Sequence, residues 1–276
     1  MKKLILALIF VLLSVPARAA DETTLDRVLR TGVLRCGYYV FPPVTYRDPN
    51  TKVLSGFGID MMNAIAKAAS LKIEWTEEVN FANWTAGIQS GRFDAACTPM
   101  WPDTALGRAV LFTAPFMYSG LSPIVRADDA RFQDDLSRLN AQDVKFLAQD
   151  GNALTTITMA SFPKARVVIM PAEMSGPQMI QEIMAGKADA MLGDRNNVIN
   201  YNKNNPGKLR SVDAGHPVKA QAFSLAVNRR DIDLKLFLDN AIQEMLNDGT
   251  IDRLITKWET EPGLFIRVAK PYEARP

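Results

Sequence analysis

The chain has 276 residues, of which 47% are hydrophobic and 22% charged, with a formal net charge of +2. That balance belongs to a folded globular protein and excludes a disordered, collagen-like or coiled-coil chain. The length suits one large domain or two of about 100 to 150 residues each.

The first segment reads as a leader. Lys2 and Lys3 precede an apolar run over residues 4–13, and Ala17-Arg18-Ala19 follows. A basic start, a short apolar core and an A-x-A site form a secretory signal, so residues 1–19 are expected to be removed on export. The run is too short for a bilayer core, which takes about 20 apolar residues. Cleavage would remove three basic residues and no acid, leaving a nearly neutral chain. Nucleic acid needs a basic patch that replaces counterions, so no such partner is expected. No later stretch approaches a membrane span, and no cysteine follows the signal closely enough to carry a lipid. The expected product is a soluble exported protein of the periplasm.

After Asp21, residues 24–30 read as a helix leading into a short strand over 33–38. A Pro42-Pro43 loop follows, and a helix opens over residues 56–60, with Ile59, Met62, Ile65, Ala66 and Ala69 on one face. Leu71, Ile73 and Trp75 alternate with Lys72 and Glu74, which predicts a strand. Residues 83–90 read as a helix closed by Gly91, and 93–98 as the next strand. After a polar stretch over 127–140 the pattern restarts, with strands at 144–148, 166–170 and 190–193 and helices at 152–161, 177–185 and from 195. Two strands border this unit, at 120–126 and 223–228. The last long helix carries Leu234, Phe237, Leu238, Ala241 and Met245 on one stripe and ends at Gly249, and a second runs over 251–258. Alternating strands and helices indicate two βαβ units around mostly parallel sheets. The cleft between two such lobes, beyond the carboxyl ends of the strands, is the expected ligand site.

Cys36 and Cys97 each lie in an apolar, strand-like run. They read first as two buried small hydrophobes, with a disulfide between neighbouring strands as the alternative. One histidine, His216, and the lack of any CxxC give no metal-ligand cluster, and no cofactor is expected.

Several segments in order resemble the periplasmic polar amino-acid-binding proteins, solute-binding family 3, of ABC importers. They are Leu34-Arg35-Cys36-Gly37, Phe41-Pro42-Pro43, Gly56-Phe57 with Asp60, and Gln89-Ser90-Gly91-Arg92-Phe93-Asp94-Ala95. Phe112-Thr113-Ala114-Pro115-Phe116 is similar to the family's "FSxPY" segment. Gly186-Lys187-Ala188-Asp189-Ala190 with Gly193-Asp194 is similar to "GRADAxxGD", and the close through Asn247-Asp248-Gly249-Thr250 to Lys257-Trp258 is similar to "DGTYDKIxxKW". The resemblance implies an α/β fold of the two-lobed periplasmic-binding-protein (venus flytrap) type with two hinge crossings. Lobe 1 would comprise residues 24–122 and 228–270, and lobe 2 residues 123–227. It implies a monomer that closes on a small-molecule ligand, an amino acid or amine, and delivers it to the membrane permease of an ABC importer.

Carried over by position, Phe41 and Phe81 fall where the family covers its ligand with aromatics, although both could be plain core packing. Asp194 falls on the aspartate that receives the ligand ammonium, and could alternatively cap the helix that follows. Thr98, Trp101 and Asn152 complete the candidate ligand-binding set. The family's carboxylate-binding arginine falls on Leu106, and the threonine of its "GTT" helix start on Ala153. Leucine cannot replace a bidentate arginine. Either the ligand is an amine without an α-carboxylate, held by Asp194 and covered by Phe41, Phe81 and Trp101, or Arg108 or Arg195 supplies the missing charge. Trp101 could instead simply cover lobe 1, and Trp84 reads as core. Arg35 and Lys72 read as solvated positions.

An enzyme is the main rival class, because a few proteins on this fold are cyclohexadienyl dehydratases. Such chemistry needs a positioned acid or base, and Glu173 is the carboxylate nearest a plausible loop, although it reads better as a charge at a helix start. No nucleophile motif is present, and the expectation is a binding protein rather than an enzyme. A sensor or accessory module on the same fold is the third class.

Overall fold

The computed structural model describes residues 22–268 apart from 134, 213 and 214. The leader expected over residues 1–19 lies outside the described residues.

In lobe 1, helix α1 (Thr24–Thr31) starts on a capping box between Thr23 and Asp26 and stops at Gly32, where the chain turns left-handed. Strand β1 (Val33–Tyr38), a small hairpin of β2 (Tyr46–Arg47) and β3 (Leu54–Ser55), and helix α2 (Phe57–Ala68) follow. Then come β4 (Lys72–Glu78), α3 (Trp84–Gln89), β5 (Ala95–Met100) and β6 (Val110–Phe112). Strand β7 (Met117–Arg126) leads into lobe 2. There the chain forms α4 (Leu136–Leu139), β8 (Lys145–Gln149), α5 (Ala153–Ser161), β9 (Arg166–Met170) and α6 (Gly176–Met184). It continues through β10 (Ala190–Asp194), α7 (Arg195–Asn204) and β11 (Leu209–Ser211). Strand β12 (Lys219–Asn228) returns to lobe 1, where α8 (Ile232–Asn247), α9 (Thr250–Trp258) and β13 (Phe265–Arg267) complete the fold.

The strands run in the order β4-β1-β5-β12-β7-β10-β8-β9. Within each lobe three strands are parallel, β4-β1-β5 in one and β10-β8-β9 in the other. The long strands β7 and β12 join them. Residues 219–223 of β12 pair antiparallel with the first half of β7, and its later residues pair with β5, while the second half of β7 pairs with β10. The two crossings expected from sequence are therefore two adjacent antiparallel strands.

Each lobe has its own core. Leu34, Phe57, Met61, Leu234 and Ile242 are among the fully buried residues of lobe 1, and Phe132, Phe146, Leu121 and Leu192 pack together in lobe 2. The stripe expected on α8 shifts slightly. Leu234, Leu238, Ile242 and Met245 are buried, while Phe237 and Ala241 are half-buried at its flank.

The two lobes solve one local problem in the same way. In the Gly91-to-Ala95 segment, the Asp94 amide donates to the Arg35 carbonyl and the Arg35 amide donates back to Asp94 Oδ2. In the Gly186-to-Ala190 segment, Asp189 and Lys145 repeat the exchange. Each aspartate thus ties the entry of one parallel strand to its neighbour and gains arginine partners. Arg27 and Arg35 pair with Asp94, and Arg131 pairs with Asp189. Arg35 is consequently no solvated surface residue. At the other end of lobe 1, Lys257 Nζ and Trp258 Nε1 both donate to Asp60 Oδ2, at 2.7 and 2.8 Å, fastening α9 to α2.

Cys36 and Cys97 form a disulfide, with their Cα atoms 5.3 Å apart. The first reading, two separate buried thiols, is overturned. Strands β1 and β5 are paired neighbours, with Cys36 opposite Ala95, which brings Cys97 within reach.

Candidate functional site

A cavity of about 130 Å³ lies between the lobes, at the carboxyl ends of β1, β5, β8 and β10. On the lobe-1 side its wall includes Tyr39, Phe41, Asn80, Phe81, Trp84, Trp101 and Leu106. Tyr39 and Phe81 rings pack 5.1 Å apart, and Trp101 packs 6.0 Å from Phe223 of β12. On the lobe-2 side the wall includes Gln149, Asn152, Leu154, Met179, Met191, Gly193 and Asn197. No Lys, Arg, Asp or Glu lines it.

The lobes touch across this cavity. Asn200 of α7 donates its amide to the Pro42 carbonyl at 2.8 Å, and Arg195 pairs with Glu261. Trp101 is packed against the cores of both lobes. The arrangement is the closed one.

Phe41, Phe81, Trp101 and Asn152 are thus brought together on the cavity wall. Asn152 caps α5, its side-chain oxygen accepting from the Leu154 amide at 3.0 Å, and its Nδ2 donates to Gln149 Oε1. Gln149 Nε2 donates in turn to the carbonyls of Ala172 and Met174, so the loop before α6 is held in place by the strand end. Thr98 lies behind the wall. Its hydroxyl is buried and accepts from the Tyr39 amide at 2.8 Å, which positions Tyr39 and the loop after it.

Asp194 adjoins the cavity, flanked by two of its wall residues, Gly193 and Asn197. It is 2% exposed, and neither carboxylate oxygen has a hydrogen-bond partner. The amides of Asn197 and Asn196 and the hydroxyl of Ser119 face it and oppose the shift, but burial dominates and pushes its pKa up to about 7. It occupies the N-cap position of α7 without making a capping bond.

Neither alternative cation reaches the cavity wall. Arg108 is exposed on a single 3-10 turn over Leu106–Arg108, and Arg195 is engaged by Glu261. Leu106 itself is a wall residue. Glu173 is exposed and off the wall. Sequence reading missed Tyr39, Asn80, Gln149 and Asn197. Gln149 ends a parallel strand as Asp194 does, so the rule that ligands bind beyond the carboxyl ends of strands pointed to it.

Among the described residues no helix is long and apolar enough to cross a membrane. A family model described as bacterial extracellular solute-binding proteins, family 3, matches residues 34–261. Cyclohexadienyl dehydratase of Pseudomonas aeruginosa is 26% identical, over 90% of this chain and 90% of that protein. The L-cystine-binding protein TcyA of Bacillus subtilis is 25% identical, over 94% and 97%. Among solved structures, the ancestral amino acid-binding protein AncCDT-1, a precursor of cyclohexadienyl dehydratase, superimposes with a TM-score of 0.72 at 27% identity, over 86% of this chain and 99% of that one. The solute receptor for L-cysteine of Neisseria gonorrhoeae has the same fold, with a TM-score of 0.72 at 21% identity over 88% and 99%.

Proposed function

The chain belongs to the bacterial extracellular solute-binding proteins, family 3, and from that membership we propose that it is the capture component of an ABC importer for a small amine lacking an α-carboxylate. One observation carries the choice of ligand. Asp194 is a buried carboxylate with no cationic partner among the described residues, beside a cavity whose wall holds no charged residue. A lone buried carboxylate is costly, and a ligand cation would remove that cost. An amino acid would bring a carboxylate of its own to a wall where Leu106 replaces the expected arginine, and nothing there would neutralise it.

The ligand would bridge the lobes. Phe41, Phe81 and Trp101 would cover it from lobe 1, and Asp194 would hold its charge from lobe 2. Contacts made to both lobes favour the closed state over the open one by the ligand's differential affinity. In this reading the protein works as a periplasmic monomer that hands its ligand to a permease.

A thermal-shift series on the purified protein tests the assignment. Small aliphatic and aromatic amines should raise the melting temperature, and L-amino acids should not. Stabilisation by L-amino acids alone would overturn it. The similarity to cyclohexadienyl dehydratase supports catalysis on this fold as a second reading. Loss of a cyclohexadienyl acid on incubation, followed by ultraviolet absorbance, would favour that reading.

A further inference from the structure

Apolar side chains reach the cavity from both lobes. On the lobe-1 side Leu106 packs against the cluster that holds Val79, Trp84 and Met100, and all four are wall residues. On the lobe-2 side Met179 of α6 and Met191 of β10 reach the wall from the cluster around Ile124. Methionine is unbranched and polarizable, so this side can fit bodies of differing shape.

Gln149, Asn152 and Thr158, polar residues of the lobe-2 wall, are engaged within their own lobe. The Thr158 hydroxyl donates to the Leu154 carbonyl at 2.7 Å. Asn152 bonds to the Leu154 amide and to Gln149, and Gln149 bonds to two carbonyls of the loop before α6. Groups bonded in this way have little to offer a ligand. A ligand hydroxyl set against Leu106 or Met179 would lose its water without gaining a partner, and a second ammonium would find no carboxylate on the wall. A methylene there gains instead, by about 0.8 kcal/mol of apolar burial, roughly fourfold in affinity.

We infer that the body of the ligand, beyond its head, is hydrocarbon. Leu106 and Met179, one from each lobe, are then specificity-determining residues that select such a body over one carrying a hydroxyl or a second charge. For the head of the ligand the inference rests on the amine reading above, and its own claim concerns the body. Leu106 thus does more than leave out an arginine, because it supplies apolar surface in its place.

Isothermal titration with matched probes tests this. Affinity of the wild-type protein should rise at least twofold per methylene from n-butylamine through n-pentylamine to n-hexylamine. It should bind n-hexylamine at least tenfold more tightly than 5-amino-1-pentanol or 1,5-diaminopentane, which match it in length. Leu106→Asn and Met179→Gln should each reduce the preference for n-hexylamine over the amino alcohol to threefold or less, and Leu106→Thr and Met179→Thr provide the same comparison if those variants do not fold. Equal or tighter binding of the amino alcohol or the diamine would overturn the inference while leaving the amine reading standing. An unchanged ratio in a variant would overturn the role of the residue replaced. Heat from L-norleucine with none from the amines would overturn the amine reading and leave the hydrocarbon body standing. Heat from L-glutamine alone, or from none of the probes, would overturn both.

Discussion

Asp94 and Asp194 are both buried, at 4% and 2% exposure, yet the chain treats them oppositely. Asp94 receives two arginines and a backbone amide. Asp194 is faced only by uncharged donors, the amides of Asn196 and Asn197 and the hydroxyl of Ser119, and by no cation among the described residues. The first is a structural tie, and removing such a partner from a buried ion pair costs about 3–5 kcal/mol. The second holds its proton longer when folded than when unfolded, because burial lifts its pKa from 3.8 to about 7. Between those values the folded state binds more protons, so stability of the empty protein should fall as pH rises from about 4 to 7 and level off above. A lift of that size corresponds to a loss on the order of 4 kcal/mol. Asp194→Asn should remove this slope in a series of denaturant titrations across pH, and should weaken amine binding well over tenfold. An unaltered slope would show that Asp194 is not the buried titrating group. Affinity of the wild-type protein for a cationic amine should decline below about pH 7, as the carboxylate takes up its proton.

The sequence disclosed these residues unevenly. Asp194 was singled out because it falls on the aspartate of the segment that resembles "GRADAxxGD", and Leu106 because an expected charge was missing from a recognisable run. Asn196 was hidden. An asparagine in a helix start reads as surface or cap, and only the three-dimensional packing of β7 against β10 shows that its carboxamide is enclosed.

Elements were legible where apolar periodicity was long. Helices α2 and α8 and the parallel strands stand within a few residues of their expected bounds. The short pieces β2, β3, β6, β11 and β13 were not, since two or three residues carry no period and are made strands only by their partners. The aromatic Phe93 illustrates the same limit. A Cβ placed on Gly37 or Gly87 would come within 2.7 or 2.3 Å of its ring, so both glycines are required by a ring from another element. Pairing of Cys36 with Cys97 likewise depends on β1 and β5 lying side by side. It closes a loop with a sequence separation of 61, for which chain entropy gives about 4 kcal/mol of stabilisation. The double variant Cys36→Ser/Cys97→Ser should lose about 2–5 kcal/mol in chemical denaturation. A change below 1 kcal/mol would mean that the bridge adds little to lobe 1. Thr98 follows Cys97 directly and holds the Tyr39 amide, so the same variant should also weaken ligand binding.

At the scale of the molecule, the two-lobed plan with two crossings was legible, because the α/β pattern stops and restarts. The closed arrangement was not, since the contacts that fasten it are few and lie far apart in the chain. Asn200 to Pro42 is one of them, separated by 158 residues. Removing it leaves both cores intact and takes one hydrogen bond, typically about 1 kcal/mol, from the closed state alone. Asn200→Ala should therefore leave the melting temperature of the empty protein within a degree or two while lowering ligand affinity several-fold. Unchanged affinity in titration calorimetry would show that this contact does not favour closure.

Trp101 shares in both cores, whereas Trp75 and Trp258 pack only in that of lobe 1 and Trp84 in its second cluster. Its indole nitrogen is enclosed without a partner. When the lobes separate, this ring, the one of the four packed against both cores, would exchange its lobe-2 neighbours for water, and its emission would move to longer wavelength. The molecule thus carries its own optical gauge of capture, readable without any attached dye and silenced by Trp101→Phe.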